Sequence, residues 1–349
     1  MADRKKRIGL IGCGQWGPNQ IRVFYFHPKA EVVRICDMDN QRLYANLSQY
    51  PHIQATQNSQ EVTRADDIDA VIITTPVSTH YALSKDALLH GKDVLCEKPL
   101  TIKTVESREL IQIAEAKSRI LMVGQVFLFN AGILKLKELI ENKDCGESYY
   151  LHAQRTNLGP VRTDVNAVYD LASHDISIFN FLLNSTPKVL SAVGKCYLQP
   201  SIEDVAFVSL EYPENILAHI HVSWLDPKKV RQITVVGNKK MMTWDDLSLS
   251  GPVEIYSKHV EKQSYYQDYG EFHLLVKEGE VLIPHVKNIE PLKQQADHFI
   301  EATLTRKKPI SDGESGARVV QVLEEVEQIL AVSRSMNSAE AVIGEFNKK

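Results

Sequence analysis

Five short apolar runs, each followed by an amphipathic stretch, organise the first third of the chain. Residues 6–11, 31–36, 69–74, 93–96 and 120–123 are nearly continuous in apolar side chains, the pattern of strands buried on both faces of a parallel sheet. Between them, residues 16–27, 39–49 and 104–117 carry apolar positions at helical spacing. A further helix is predicted from Ser78, as its cap, to about His90, with Gly91 just beyond. Strands alternating with helices in this way predict a doubly wound α/β domain that ends near Gly124.

The pattern then changes. A helix over 130–141 leads to segments in which apolar and polar residues alternate: 149–155, 189–197, 205–212, 216–225 and 231–236. Ala218, Ile220, Val222 and Trp224 share one face of the fourth segment, and His219, His221 and Ser223 the other. This predicts a large, mostly antiparallel sheet with one less apolar face. Helices over 290–305 and 315–333 close the chain. The predicted fold class is α/β: a doubly wound α/β domain over 1–124 and a second α/β domain with a large, mostly antiparallel sheet over 125–349.

The first strand runs into Gly12-Cys13-Gly14-Gln15-Trp16-Gly17, and the second ends on Asp37, twenty residues past Gly17. A G-x-G-x-x-G turn between strand and helix, with an acid at that distance, is the dinucleotide fingerprint in its structural context. Gly12 serves the tight turn, Gly14 the approach of a pyrophosphate, and Gly17 close helix packing. Asp37 is placed to accept from ribose hydroxyls and to repel a 2′-phosphate. Met38 beside it offers no cation, so NAD is expected rather than NADP.

Charge and composition narrow the partners. The 349 residues carry a net charge of −4, so no global basic field points to nucleic acid. No run of about 18 apolar residues predicts a membrane span. The basic cluster 4–7 leads straight into the first strand and does not read as a targeting segment. Five widely spaced cysteines, with no C-x-x-C pair, indicate neither a disulfide framework nor a zinc knuckle. A cytoplasmic location is the default expectation. His219 and His221 form a possible metal pair but have no partner ligands nearby in sequence, so no metal is expected.

Candidate chemistry lies at strand ends. Glu97-Lys98-Pro99 follows the fourth apolar run, where an open α/β sheet binds its ligands. Pro99 restricts Lys98 to extended backbone, and the lysine can stabilise a developing alkoxide or hold a proton. A lysine lying along a strand end for packing alone is the competing reading. Asp170 and His174 are four residues apart and share a face if that turn is helical, so the acid can orient the ring as a general base. Taken alone, a helix start decorated with capping acids and one histidine is the stronger reading of these two. Thr75-Pro76, after the middle strand, can approach a nicotinamide. His80 reads as structural from its position in a helix. In the polar stretch 155–164, Arg155, Asn157 and Arg162 are candidates to hold a carboxylate or phosphate of the substrate.

Taken together, the Gly12–Gly17 turn, Asp37, Thr75-Pro76 with His80, Glu97-Lys98-Pro99, Asp170 with His174, and the later Lys308-Pro309-Ile310 and Asp312-Gly313 resemble the glucose–fructose oxidoreductase, inositol dehydrogenase and MocA (Gfo/Idh/MocA) family. The resemblance spans nearly the whole chain. It implies a cofactor cradle of Gly12, Gly14, Gln15, Trp16, Gly17, Asp37, Thr75, Pro76, His80, Glu97, Lys98 and Gln125. It implies catalysis by Lys98 and His174 on a substrate hydroxyl, with Asp170 orienting substrate or histidine, and homodimers or homotetramers through the open sheet. Two departures stand out: Asn166-Ala167-Val168-Tyr169 replaces a glycine-rich approach to Asp170, and Leu128 stands where the family has an arginine. Trp16-Gly17-Pro18-Asn19 and the 155–164 stretch look most like the nucleotide-sugar branch. The expected activity is NAD-dependent interconversion of a sugar ring hydroxyl and ketone, at C3 of a UDP-N-acetylhexosamine. Alternatives are an inositol or free-sugar dehydrogenase, a glycosidase that uses NAD transiently, and an NAD-binding regulator without catalysis.

Overall fold

The structure is a computed structural model that describes residues 4–263, 273–287 and 289–346. Its first sheet contains β1 (Lys6–Ile11), β2 (Ala30–Cys36), β3 (Gln54–Thr56), β4 (Ala70–Ile73), β5 (Asp93–Glu97) and β6 (Leu121–Gly124), in the order β3-β2-β1-β4-β5-β6. Every pairing in it is parallel. Helices α1 (Gly17–Tyr25), α2 (Asn40–Leu47), α3 (Gln60–Thr63), α4 (Val77–Leu89) and α5 (Thr104–Ala116) lie between the strands. All four residues of β4 and all four of β6 are buried, as the continuous apolar runs require. The short β3 and α3 have too few apolar positions to set up a period and went unpredicted.

The strand order reverses at β1. Ligands of open α/β sheets bind outside the carboxyl ends of the strands at such a point, here beyond Ile11 and Ile73. Helix α4 starts at Val77 with Pro76 as its cap residue and no side-chain cap bond, not at a capping Ser78. The reason is local: the Thr79 hydroxyl donates to the Pro76 carbonyl at 2.8 Å and can accept from the Thr75 hydroxyl at 2.7 Å, which closes the first turn from within.

The second sheet has eight strands. They are β7 (Ser148–Thr156), β8 (Lys188–Lys195), β9 (Val205–Tyr212), β10 (Ile216–Ser223), β11 (Val230–Gly237), β12 (Met241–Asp245), β13 (Val253–Tyr256) and β16 (Val281–Leu282), ordered β16-β13-β12-β11-β7-β10-β9-β8. Two further strands, β14 (His259–Gln263) and β15 (His273–Lys277), pair antiparallel as a separate two-stranded sheet among the described residues. Within the large sheet β7 and β10 run parallel and the other pairings are antiparallel. One face is covered by α6 (Ala131–Glu141) and α7 (Ser173–Leu183) among other segments, and its alternate residues Ala218, Ile220 and Val222 are fully or almost fully buried. On the other face His152 stacks on His219, and Phe207 on both His219 and His221.

The chain divides into two compact units, Met1–Phe129 with Ile289–Glu324, and Asn130–Asn288 with Glu325–Lys349. A single boundary at 124 therefore does not describe it. The return segment contains α8 (Pro291–Thr305) and the start of α9 (Gly313–Phe346). Phe299 of α8 is fully buried and meets Phe24 of α1 edge to face at 6.1 Å. The Val123 N–H donates to the Ser311 carbonyl at 2.7 Å, and Ala317 and Val320 of α9 join the core beneath β4, β5 and β6. No local pattern signals this return, because it is set by which sheet edge the late helices reach.

Phe299→Ala is expected to destabilise the first unit by about 3–5 kcal/mol, the usual cost of emptying a buried aromatic site. Denaturant unfolding followed by amide exchange in β1 and β4 measures it. A cost below ~1 kcal/mol would mean that α8 is not part of that core.

Candidate active site

The dinucleotide turn has the backbone it needs. Gly12 has φ +101°, and a Cβ there would lie 2.7 Å from the Thr74 carbonyl carbon. A Cβ on Gly17 would lie 2.3 Å from the Gly12 carbonyl oxygen, so the start of α1 can close onto the turn only as glycine. At Gly14 the situation is opposite: an added Cβ would meet nothing nearer than the Arg42 guanidinium at 3.6 Å. That open side, next to the first turn of α1, is where a pyrophosphate would fit, and the helix start contributes partial positive charge there. Gln15 and Trp16 are exposed on the same turn.

Asp37 closes the turn from the side. Its Oδ2 accepts the Cys13 N–H at 2.6 Å and its Oδ1 accepts the Asp39 N–H at 2.8 Å. A carboxylate has about four acceptor sites, so both bonds leave capacity for ribose hydroxyls. Arg42, which sequence reasoning missed, brings its guanidinium to 3.9 Å from Asp37 and 3.4 Å from Asp39. The signal was the N-cap: Asp39 accepts the Gln41 N–H at 2.8 Å, so α2 begins at once and turns Arg42 back toward the strand end. Cys13 is no candidate nucleophile, because burial first and Asp37 next push its thiol up to about 12.

Thr75, Pro76 and Lys98 sit at the carboxyl ends of β4 and β5. Thr75 and Lys98 are half-buried and Pro76 is exposed, and the Lys98–Pro99 peptide is cis. Three residues expected in the cofactor cradle face inward instead. His80 is buried, with Nδ1 2.9 Å from the Pro99 carbonyl oxygen and Nε2 2.8 Å from that of Thr75. It ties the Thr75-Pro76 turn to the Lys98-Pro99 turn. The Gln125 side chain is buried and its Oε1 accepts the Ser315 hydroxyl at 2.8 Å. Glu97 accepts from Gln20 Nε2 at 2.9 Å and from the Lys98 N–H at 3.3 Å. Burial holds its carboxyl above the usual carboxylate range. These three support the cradle from behind.

In the second unit, the Asp170–His174 stretch is not a plain helical turn. Val168–Ala172 forms a π-helical turn that runs into α7 at Ser173. Such turns are frequent at functional sites. Asp170 and His174 are both half-buried. Trp224 Nε1 donates to Asp170 Oδ2 at 3.2 Å, and Arg162 Nη1 donates to Asp170 Oδ1 at 3.4 Å. Arg162 also forks onto Asp164, at 2.9 and 2.6 Å, and Asn157 is half-buried on the same stretch. Arg155 departs from expectation. It is 3% exposed, and its guanidinium grips Asp175, which is 1% exposed, at 2.7 to 3.2 Å. The alternation of β7 turns Arg155 to the buried face, and the acid one residue past His174 meets it there. The pair ties the strand to the start of α7 rather than offering a cation to a substrate.

Among the described residues no group of three or more His, Cys, Asp or Glu side chains could hold a metal ion. No helix among them is long and apolar enough to cross a membrane.

Arg155→Ala leaves Asp175 as an uncompensated buried charge and is expected to cost about 3–5 kcal/mol. Arg162→Ala, which removes a half-exposed pair, should cost no more than ~1 kcal/mol. Urea unfolding of the two variants side by side checks the contrast, and equal costs would contradict it.

Comparison with known proteins follows the same division of the chain. Residues 6–125 match the oxidoreductase family with an NAD-binding Rossmann fold, and residues 133–243 match the GFO/IDH/MocA C-terminal domain. An inositol 2-dehydrogenase of Burkholderia multivorans is 28% identical over 66% of this chain, a match that spans 64% of that enzyme's length. A solved chain from Magnetospirillum magnetotacticum MS-1 superimposes with a TM-score of 0.77 at 26% identity, covering 91% of this chain and 98% of that one. UDP-N-acetylglucosamine 3-dehydrogenase GnnA from Acidithiobacillus ferrooxidans has the same fold, with a TM-score of 0.79 at 20% identity over 95% of this chain and 99% of that chain. With both of its parts matched in order, this chain belongs to the Gfo/Idh/MocA family of oxidoreductases and carries that family's NAD-binding Rossmann domain.

Proposed function

We propose that the protein is an NAD-dependent oxidoreductase that interconverts a hydroxyl and a ketone on a sugar or polyol ring. The observation that carries this reading is the common edge of the first sheet. The Gly12 turn, the Thr75-Pro76 turn and Lys98 all follow the carboxyl ends of adjacent parallel strands, so a cofactor held at the first would extend toward the other two. When bound, the nicotinamide supplies the acceptor for the hydride that leaves the carbinol carbon.

The chain's own residues would do the rest. Gly14, the start of α1 and Asp37 bind the pyrophosphate and adenosine ribose, and Thr75-Pro76 lie against the nicotinamide end. His174 takes the hydroxyl proton as the carbon–hydrogen bond breaks, and returns it in the reverse direction. Lys98 steadies the oxygen while charge develops on it. Asp170, held by Trp224 and Arg162, orients the substrate or the histidine.

For the substrate we propose a UDP-linked N-acetylhexosamine oxidised at C3. Fold likeness to GnnA over nearly the full chain supports it. The inositol 2-dehydrogenase relative supports a polyol as the second reading. The burial of Arg155 leaves Arg162, Asn157 and Lys98 as the polar groups for the substrate, which reduces the cationic charge a diphosphate would meet. We further propose a homo-oligomer built on the open face of the large sheet, where Phe207, Tyr150 and Leu217 are exposed, and a cytoplasmic location.

Lys98→Ala and His174→Ala are each expected to lower turnover by ~10²–10⁴-fold, the usual worth of a positioned acid or base, while NAD still binds. Absorbance of NADH is followed with UDP-N-acetylglucosamine, UDP-glucose, myo-inositol and glucose, with and without 2-oxoglutarate as acceptor for tightly held NADH. Calorimetry with NAD runs in parallel. Turnover with inositol alone would move the assignment to the polyol. Silence throughout, with NAD bound, would favour the transient-NAD glycosidase or the non-catalytic regulator.

A further inference from the structure

The turn that carries Asp170 is fastened by four polar side chains drawn from three distant parts of the second unit. Asn166 precedes the turn and is buried. Its Oδ1 accepts the Tyr169 N–H at 3.1 Å and its backbone carbonyl accepts the Asp170 N–H at 3.1 Å. Its Nδ2 donates to Glu203 Oε2 at 3.0 Å and to Glu327 Oε2 at 2.9 Å. The remaining oxygen of each carboxylate is taken by Arg334, which donates through Nη1 to Glu203 and through Nη2 to Glu327. The four side chains thus form a closed ring: one amide and one guanidinium, each bridging the same two carboxylates.

The ring has a definite sense. Carboxylates accept hydrogen bonds and do not donate them, so the Asn166 amide cannot rotate by half a turn without setting its oxygen against two of them. Its oxygen is therefore held toward the Tyr169 N–H. An aspartate in its place would gather three carboxylates around one cation. A second tie comes through the backbone of the same segment. The Glu203 carbonyl accepts the Ala167 N–H at 2.9 Å, and the Asp204 carbonyl accepts the Trp224 N–H at 2.9 Å. Trp224 is the residue whose indole N–H holds the Asp170 carboxylate. Residues 203 and 204 thus grip both the turn and the group that orients its acid.

Glu203 is 1% exposed. Buried ionic groups are poor sources of net stability and are better explained, where they are explained, by the specific geometry they impose. A π-helical turn is an uncommon geometry. We infer that Asn166, Glu203, Glu327 and Arg334 are positioning residues: a clamp that sets the π-helical turn and, through it, the placement of Asp170 and His174. This rests on the proposed catalytic roles of those two residues. It also gives a purpose to Asn166 at the head of Asn166-Ala167-Val168-Tyr169, a segment without glycine. An asparagine cap with a fixed amide does by hydrogen bonding what glycines do by conformational freedom.

The test uses the full-length protein and two readouts. The first is an NMR pH titration of the histidine rings, with His174 assigned by its loss in His174→Asn. The second is kcat, its pH profile and the KM for NAD on whichever member of the sugar panel turns over. The variants are Asn166→Ala and Glu327→Gln, with Glu138→Gln, an exposed position of α6, as control. In the clamp variants the His174 resonance and its titration midpoint are expected to move. The kcat is expected to fall by ~10–100-fold, as misplacement by about an ångström does, its acid limb shifting with the histidine and the KM for NAD unchanged. In the control nothing moves. An unchanged His174 titration in both folded clamp variants would overturn the proposal. Should Asn166→Ala not fold, Glu327→Gln, which keeps the shape and removes one negative charge, decides alone. Normal turnover in His174→Asn would defeat the catalytic reading, and the NMR titration would still decide the clamp.

Discussion

The contact between Gly12 and Gly17 is the constraint on which the first unit depends. A Cβ at Gly17 would sit 2.3 Å from the Gly12 carbonyl oxygen, and one at Gly12 would strike the backbone at Thr74. The strand therefore has to turn, and the helix has to begin, within six residues and directly against β4. Once this is so, the helix start lies beside the carboxyl end of β1, and Asp37 lies close enough to accept the Cys13 N–H. The Thr74 hydroxyl donates to the Gly12 carbonyl at 2.5 Å, which joins the turn to the strand leading into Thr75. His80 then joins Thr75 to Pro99, and so to the turn that holds Lys98. One close packing contact is passed along three strand ends as a chain of hydrogen bonds.

Much of this was legible in the sequence because it depends on short-range rules. Glycines at fixed offsets, apolar runs of strand length and an acid at the end of the second strand each have a local physical cause. What could not be read is what long-range packing decides. Arg155 and Arg162 look alike as basic residues in one polar stretch. The β7 alternation sends the first inward to Asp175 and leaves the second beside Asp164 and Asp170. Gln125 and Glu97 carry polar groups at strand ends, where a ligand would be expected. Their partners, Ser315 and Gln20, lie 190 and 77 residues away in sequence. The return of residues 289–324 to the first unit is of the same kind, since it needs knowledge of which sheet edge is free.

The loss of Arg155 as a substrate group bears on substrate class. A doubly charged diphosphate gains most from bidentate guanidinium contacts. Arg162 already gives both forks to Asp164 and reaches Asp170 with its remaining amine. A nucleotide diphosphate would have to compete with two carboxylates for that guanidinium, whereas a neutral polyol would not. The full-length likeness to GnnA, at 20% identity, is a likeness of fold. The two considerations concern different parts of the molecule, the local charge around one turn and the course of the whole chain.

Asp170 occupies the point where these considerations meet. Its carboxylate receives an indole N–H on one oxygen and a guanidinium N–H on the other, and a carboxylate has about four acceptor sites, so an imidazole N–H or a hydroxyl can join them. Neither donor fixes the backbone beneath it. That falls to the turn, which has no glycine over residues 166–172 to let it adopt its path freely. A chain with bulkier residues at Val168 and Tyr169 has fewer backbone conformations open to it, and one of them must then be selected by outside contacts. The ring of Asn166, Glu203, Glu327 and Arg334 makes that selection with groups whose hydrogen-bonding directions are fixed by charge, a stiffer constraint than apolar packing against the same turn would provide.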